Sequence, residues 1–161
     1  MRYVYIFDDT IDNEQVQVLI DVICSYEQVD LFFTTPGGSL TAMRTLIHAI
    51  NQHPDIQIFL TGYIASAGTF LLTECTQPVY LHEDLDFILF HMADRMIEGT
   101  FRKKAIDDRI IESQTRATNE DMGRKYKALG LTAKELKRYY AGEDVVLYKS
   151  DFPRLKVARN E

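Results

Sequence analysis

With 161 residues, 46% of them hydrophobic and 26% charged, the chain has the make-up of a single globular domain, which excludes disordered and fibrous classes. A net charge of −6 weighs against nucleic acid or an anionic membrane as partner, and no apolar run approaches the roughly 20 residues that span a bilayer. Cys24 and Cys75 fall in apolar helical patterns with no Cys or His at metal-ligand spacing; they read as buried free thiols of a cytoplasmic protein, and nothing asks for a metal or other cofactor.

The N-terminus looks like a first strand, Tyr3–Phe7, rather than a signal peptide. Glu14–Tyr26 carries the 3.6-residue apolar period of an amphipathic helix, entered through Asp12 or Asn13 as cap. Strand-like Val29–Thr35 breaks into Pro36-Gly37-Gly38-Ser39, and a helix over about 40–53 follows and ends before Pro54. Ile56–Thr61 reads as a third strand stopped by Gly62. A turn of small residues around Ser66 comes next, then an apolar helical run to about Glu74. Val79–His82 and Phe87–Phe90 read as two short strands separated by an acidic turn, Glu83-Asp84. This βαβαβαβ order predicts an α/β domain: a largely parallel sheet, right-handed crossovers and helices on its faces.

The second half differs. From about Gly99 to Leu129 one long helix is predicted, with Ile106, Ile110, Ile111, Met122 and Tyr126 among its apolar residues. Such a stripe must be buried, against a partner subunit or against the chain's own core. Gly130 ends the helix, Thr132 caps a short one through about Tyr140, and Val145–Tyr148 is a last strand. The tail, 149–161, is polar and reads as loose. The basic residues of this half alternate with acidic ones, the mark of a solvated helix face rather than a binding patch. With no repeat and no linker, residues 1–161 form one domain.

The chemistry gathers at the predicted strand ends. Ser66 stands where an apolar strand turns into a helix, flanked by Ala65, Ala67 and Gly68, which let a substrate come close. The helix start turns free N–H groups and a positive dipole end toward it. A serine becomes a nucleophile at neutral pH only beside a base, and His91 ends another strand-like run. The backbone N–H groups of Gly38 and Ala67, one from each strand-to-helix turn, are the natural donors for an oxyanion. His82, beside Glu83-Asp84, is the rival base. His48 falls inside a helical pattern, and His53 ends that helix, where its charge would suit the dipole.

Thr35-Pro36-Gly37-Gly38-Ser39-Leu40-Thr41-Ala42, then Gly62-Tyr63-Ile64-Ala65-Ser66-Ala67-Gly68-Thr69-Phe70-Leu71-Leu72, then Phe87-Ile88-Leu89-Phe90-His91, resemble the motifs of the Clp protease proteolytic subunit family. The likeness runs from about Tyr3 to Leu147. It implies a Clp protease/crotonase-like fold of repeated ββα and βαβ units, with a mostly parallel sheet and a long protruding handle-like helix. It implies Ser66 as nucleophile, His91 as general base, and the Gly38 and Ala67 amides as oxyanion hole. The family's third triad member lies just before a late strand. Glu143-Asp144-Val145 occupies that place, so the resemblance points to Asp144 first and Glu143 second.

A serine peptidase acting on peptides or unfolded protein is the leading expectation, ATP-independent or dependent on a partner. Its substrate would lie extended between Gly37, Ser39 and Leu40 on one side and Met92 on the other, with apolar side chains near the scissile bond. The family also implies a homo-oligomeric ring. Several departures weigh against docking of an AAA+ unfoldase. The first strand begins at Tyr3, where the family has a preceding gate segment, and Met92-Ala93-Asp94 replaces Gln-Pro after the histidine. The Gly-rich start of the handle is missing, and Lys149-Ser150-Asp151-Phe152-Pro153 replaces the usual close. Two other readings stand beside the peptidase: an inactive assembly or binding subunit, and a crotonase-like acyl-thioester enzyme.

Overall fold

The computed structural model describes residues 1–93 and 105–157. Strands β1 (Tyr3–Asp8), β2 (Val29–Thr35), β3 (Ile56–Ala65), β4 (Val79–Phe90) and β5 (Val145–Tyr148) form one sheet in that order. The first four are parallel, and β5 runs antiparallel to β4. The helices are α1 (Asn13–Ser25), α2 (Leu40–Gln52), α3 (Phe70–Glu74), α4 (Ala105–Leu129) and α5 (Ala133–Tyr140), with a 3-10 turn at Ser66–Thr69 leading into α3. Among the described residues no helix is long and apolar enough to cross a membrane.

Local chemistry sets the helix starts. Asp12 Oδ1 accepts the Gln15 N–H at 2.8 Å and so caps α1, whose Val16, Leu19 and Ile23 are buried. Ser39 Oγ accepts the Ala42 N–H at 3.0 Å at the start of α2, whose Met43, Leu46, Ile47 and Ile50 are buried. Thr132 and Glu135 form a reciprocal capping box on α5. Each buried aliphatic side chain contributes about 2 kcal/mol relative to exposure.

Helices α1 and α2 pack together, and α2 packs on α3, so the crossover helices share one face of the sheet. Consecutive strand order with crossovers of one hand requires this. The expectation of helices on both faces is corrected accordingly. On the other face Phe32, Phe59 and Tyr80 stack in a ladder, with centroids 4.9 and 5.1 Å apart, and Ile6 on edge strand β1 is 71% exposed.

Four further expectations change. Gly62 does not stop β3: the strand passes it through a shift in register and runs on to Ala65. The expected turn at Glu83-Asp84 lies within one continuous β4. Leu60 pairs with Leu81 and Gly62 with Leu85, so the acidic pair is bulged out of the ladder. The tail is packed over its described part, with Phe152 and Leu155 buried and Arg154 paired to Glu135 at 2.6 Å. Cys24 is exposed, and only Cys75 is buried. The predicted start of the long helix near Gly99 lies outside the described residues. Its C-terminal half buries Met122, Tyr126 and Leu129 against the chain's own core, while Ile110 stays half exposed.

Candidate active site

The strand registers bring the site together. Thr35 pairs with Ile64 and Ala65 with Leu89, so Pro36–Gly38, Ser66 and His91 leave adjacent strands at one end of the sheet, the carboxyl end of its parallel strands. Phe90 pairs with Val145 in the antiparallel ladder, which sets the residue after Phe90 beside the residue before Val145. His91 and Asp144 are those residues. Site and strand ends coincide, as they do in open α/β sheets.

Ser66 has a backbone φ of +55°, in the left-handed region, alone among the described non-glycine residues. That conformation costs about 1–2 kcal/mol and turns the side chain out at the strand-to-helix corner. His91 Nε2 and Ser66 Oγ are 2.7 Å apart. His91 Nδ1 and Asp144 Oδ1 are 3.4 Å apart, longer than a well-formed hydrogen bond, and the Asp144 side chain is 62% exposed. Glu143 turns away from His91 and accepts from Arg138 Nε at 2.9 Å. The Arg138 guanidinium also donates to the Asp144 carbonyl at 2.9 Å, fixing the loop that carries the carboxylate.

The glycine turn presses against the serine. A Cβ at Gly37 would come within 2.5 Å of Ser66 Cβ. At Gly38, φ is +147° and a Cβ would overlap the Ile11 carbonyl oxygen, so no side chain fits there. Ile11 N–H donates to the Gly37 carbonyl and Ser39 N–H to the Ile11 carbonyl, both at 2.8 Å. This bridge uses the groups on either side of Gly38 and leaves its own amide directed away from Ile11. Ala67 is the second residue of the 3-10 turn, where the backbone N–H has no carbonyl behind it within the turn. A cavity of about 710 Å³ opens here, lined by Gly38, Ser39, Leu40, Ser66, Ala67, His91, Met92 and Asp144 among others. Of the residues expected to hold substrate, Ser39, Leu40 and Met92 line it, and the Ser39 hydroxyl is engaged as the α2 cap.

The other histidines are accounted for. His53 is buried, its Nε2 lies 2.8 Å from the Tyr26 carbonyl, and its Nδ1 accepts the Asp55 N–H at 3.1 Å. Both ring nitrogens are engaged by backbone groups, so His53 has a hydrogen-bonding role in tying the end of α2 to the neighbouring loops. His82 Nδ1 accepts the Asp84 N–H at 3.2 Å inside the β4 bulge, and its ring meets the edge of Phe32. His48 is exposed on α2.

Three supports were not anticipated from sequence. Thr69 Oγ1 donates to the Ser66 carbonyl at 2.6 Å, and the Tyr126 hydroxyl lies 2.7 Å from Thr69 Oγ1. Burial pushes the phenols of Tyr126 and Tyr139 well above their ordinary range, so both stay protonated donors. Asn119 Oδ1 accepts the Ala93 N–H at 2.7 Å, and its Nδ2 donates to the Ala93 carbonyl at 3.0 Å. Arg138 is the third. A visible signal existed for Asn119: Asn is a poor helix former, and it sits three and seven residues before Met122 and Tyr126 on the buried stripe. Among the described residues no group of His, Cys, Asp or Glu side chains could hold a metal ion.

Residues 5–139 match the family model described as Clp protease. The match contains Ser66 and His91 and ends before Asp144. A similar relative is the ATP-dependent Clp protease proteolytic subunit 1 of Cutibacterium acnes, 26% identical over 119 residues. That alignment covers 70% of this chain and 54% of the relative, so the chain matches about half of that protein's length.

Proposed function

The chain belongs to the Clp protease family, and we propose that it is a serine endopeptidase hydrolysing peptide bonds of peptides or unfolded protein through Ser66, His91 and Asp144. The observation that carries the reading is the 2.7 Å approach of His91 Nε2 to Ser66 Oγ at a strained corner of the backbone.

Ser66 Oγ attacks the scissile carbonyl carbon while His91 Nε2 takes its proton. The negative charge that develops on the carbonyl oxygen is received by the N–H groups of Gly38 and Ala67. Asp144 holds the imidazole through Nδ1 and stabilises its charged form. Collapse of the intermediate breaks the C–N bond, and His91 returns the proton to the leaving amine. Water, deprotonated by His91, then attacks the acyl ester and frees Ser66.

The homo-oligomeric ring expected for the family is part of the proposal, as is a cytoplasmic setting. Exposed apolar side chains on edge strand β1 (Val4, Ile6) and on α4 (Ile110) support association, and a monomer by light scattering at micromolar concentration would remove it. An inactive assembly subunit is the second reading, favoured by the exposure of Asp144.

Intact mass after treatment with a fluorophosphonate separates the two. One adduct, lost in Ser66→Ala and in His91→Ala, is the result expected of a peptidase. No adduct at any concentration or assembly state favours the inactive subunit.

A further inference from the structure

We infer that Asn119 is a positioning residue that presents the backbone of Met92 to a bound peptide, by holding both backbone polar groups of Ala93 against α4. This deepens the peptidase reading and rests on it.

The sheet pairing of β4 ends at Phe90 with Val145, so the chain beyond it needs another partner for its peptide groups. The Asn119 amide supplies one. Its two bonds to Ala93, 2.7 and 3.0 Å, reproduce the paired N–H and C=O contacts that a neighbouring strand would make. Asn119 is only 9% exposed, and a polar side chain buried in a helix is retained at a cost unless it is fully bonded. Here both polar atoms of the side chain have a partner in Ala93, and the main-chain carbonyl of Asn119 accepts the Tyr139 hydroxyl at 3.2 Å.

Consecutive residues of an extended chain direct their N–H and C=O groups to opposite sides. In the proposed arrangement the chain stays extended past Phe90, so that with Ala93 turned to α4 the N–H and C=O of Met92 turn to the cavity that Met92 lines together with Leu40 and Ser66. A peptide entering there adds as a strand and exchanges two hydrogen bonds with Met92. Seven residues further along α4, Tyr126 reaches Thr69 on the serine side. One helix thus holds both walls of the cleft, and Asn119 sets the register of the histidine wall.

The test uses a peptide that the full chain cleaves, and the same peptide N-methylated at one position at a time. In Asn119→Ala, KM should rise about tenfold, the loss of two backbone contacts, while kcat falls less than about threefold. In the unaltered chain one N-methyl position should weaken binding about tenfold, and that penalty should shrink in Asn119→Ala. An unchanged KM overturns the inference, as does a fall in kcat as large as the rise in KM. Should Asn119→Ala fail to fold, the methyl series decides alone, and a flat series overturns it. Failure of the peptidase reading is seen separately, as absence of fluorophosphonate label on the unaltered chain. In that case peptide anisotropy on Ser66→Ala decides: about tenfold weaker binding on adding Asn119→Ala supports the inference, and equal binding overturns it.

Discussion

The Tyr126 hydroxyl donates to Thr69 Oγ1 at 2.7 Å, because the single proton of that threonine is already given to the Ser66 carbonyl at 2.6 Å. A residue on α4 therefore braces, through one side chain, the corner on which Ser66 is strained. Tyr126→Phe keeps the ring packed on Phe90 and Tyr139 and removes only this brace. Stability should fall by about 1 kcal/mol in denaturant melts, and fluorophosphonate labelling of Ser66 should slow about tenfold. A stability loss with an unchanged labelling rate would mean that the brace serves the fold alone.

Gly38→Ala attacks the other wall. The new methyl group overlaps the Ile11 carbonyl, and φ of +147° is open to glycine and little else. The bridge to Ile11 must open, which displaces the Gly38 amide. We expect a stability loss of about 1–3 kcal/mol. Peptide kcat should fall by about 10² to 10³, the usual effect of losing one oxyanion donor. The diagnostic is a comparison of substrate and inhibitor: affinity for a peptide aldehyde, which forms a tetrahedral adduct, should drop much further than affinity for the peptide itself. Equal losses would argue against an oxyanion role for this amide.

The two thiols should separate by reactivity. Burial pushes the Cys75 thiol up to about 11, which keeps it protonated and unreactive at pH 8, whereas Cys24 is exposed on α1. Iodoacetamide at pH 8 should add one group to the native chain, at Cys24, and two in denaturant. Because the reactive form is the thiolate, modification of Cys75 should grow only as pH climbs toward 11. Two adducts formed at equal rates on the native chain at pH 8 would show that Cys75 is not protected.

Much of this architecture is legible in the sequence because the glycine turn and His91 directly follow apolar strands, and Asp144 directly precedes one. Thr35 and Phe90 close runs with clear β character, and Pro36-Gly37-Gly38 and His91 come directly after them, whereas the end of β3 at Ala65, just before Ser66, is masked by Gly62 and the small residues that follow it. The bulges are hidden for a physical reason. Gly62 and Glu83-Asp84 are residues that suit a turn, and a bulge asks for the same local freedom without ending the strand. The packed tail is hidden too, since its anchors are Phe152 and Leu155 in a polar stretch and an Arg154 bonded to the Gly130 carbonyl at 2.5 Å. Asn119 marks the limit of pattern reading. Its partner is a backbone segment 26 residues away, and backbone contacts leave no periodicity behind.

Asp144 and Glu143 are adjacent carboxylates whose geometry assigns them different work. Asp144 Oδ1 faces His91 Nδ1 at 3.4 Å, and Glu143 is paired with Arg138 at 2.9 Å. Asp144→Asn keeps the size of the side chain but offers His91 no charge, and its NH₂ can favour the wrong tautomer. Loss of the charge in a buried triad costs about 10⁴ in kcat. The exposure of Asp144 brings water to the imidazolium as a partial substitute, so we expect about 10² to 10³ here. Glu143→Gln frees Arg138 from one partner but leaves its bond to the Asp144 carbonyl, so kcat should change less than about threefold. Both variants are read by peptide hydrolysis against Ser66→Ala as the floor. If Glu143→Gln proves the more damaging, the loop rearranges around substrate and Glu143 takes the third place.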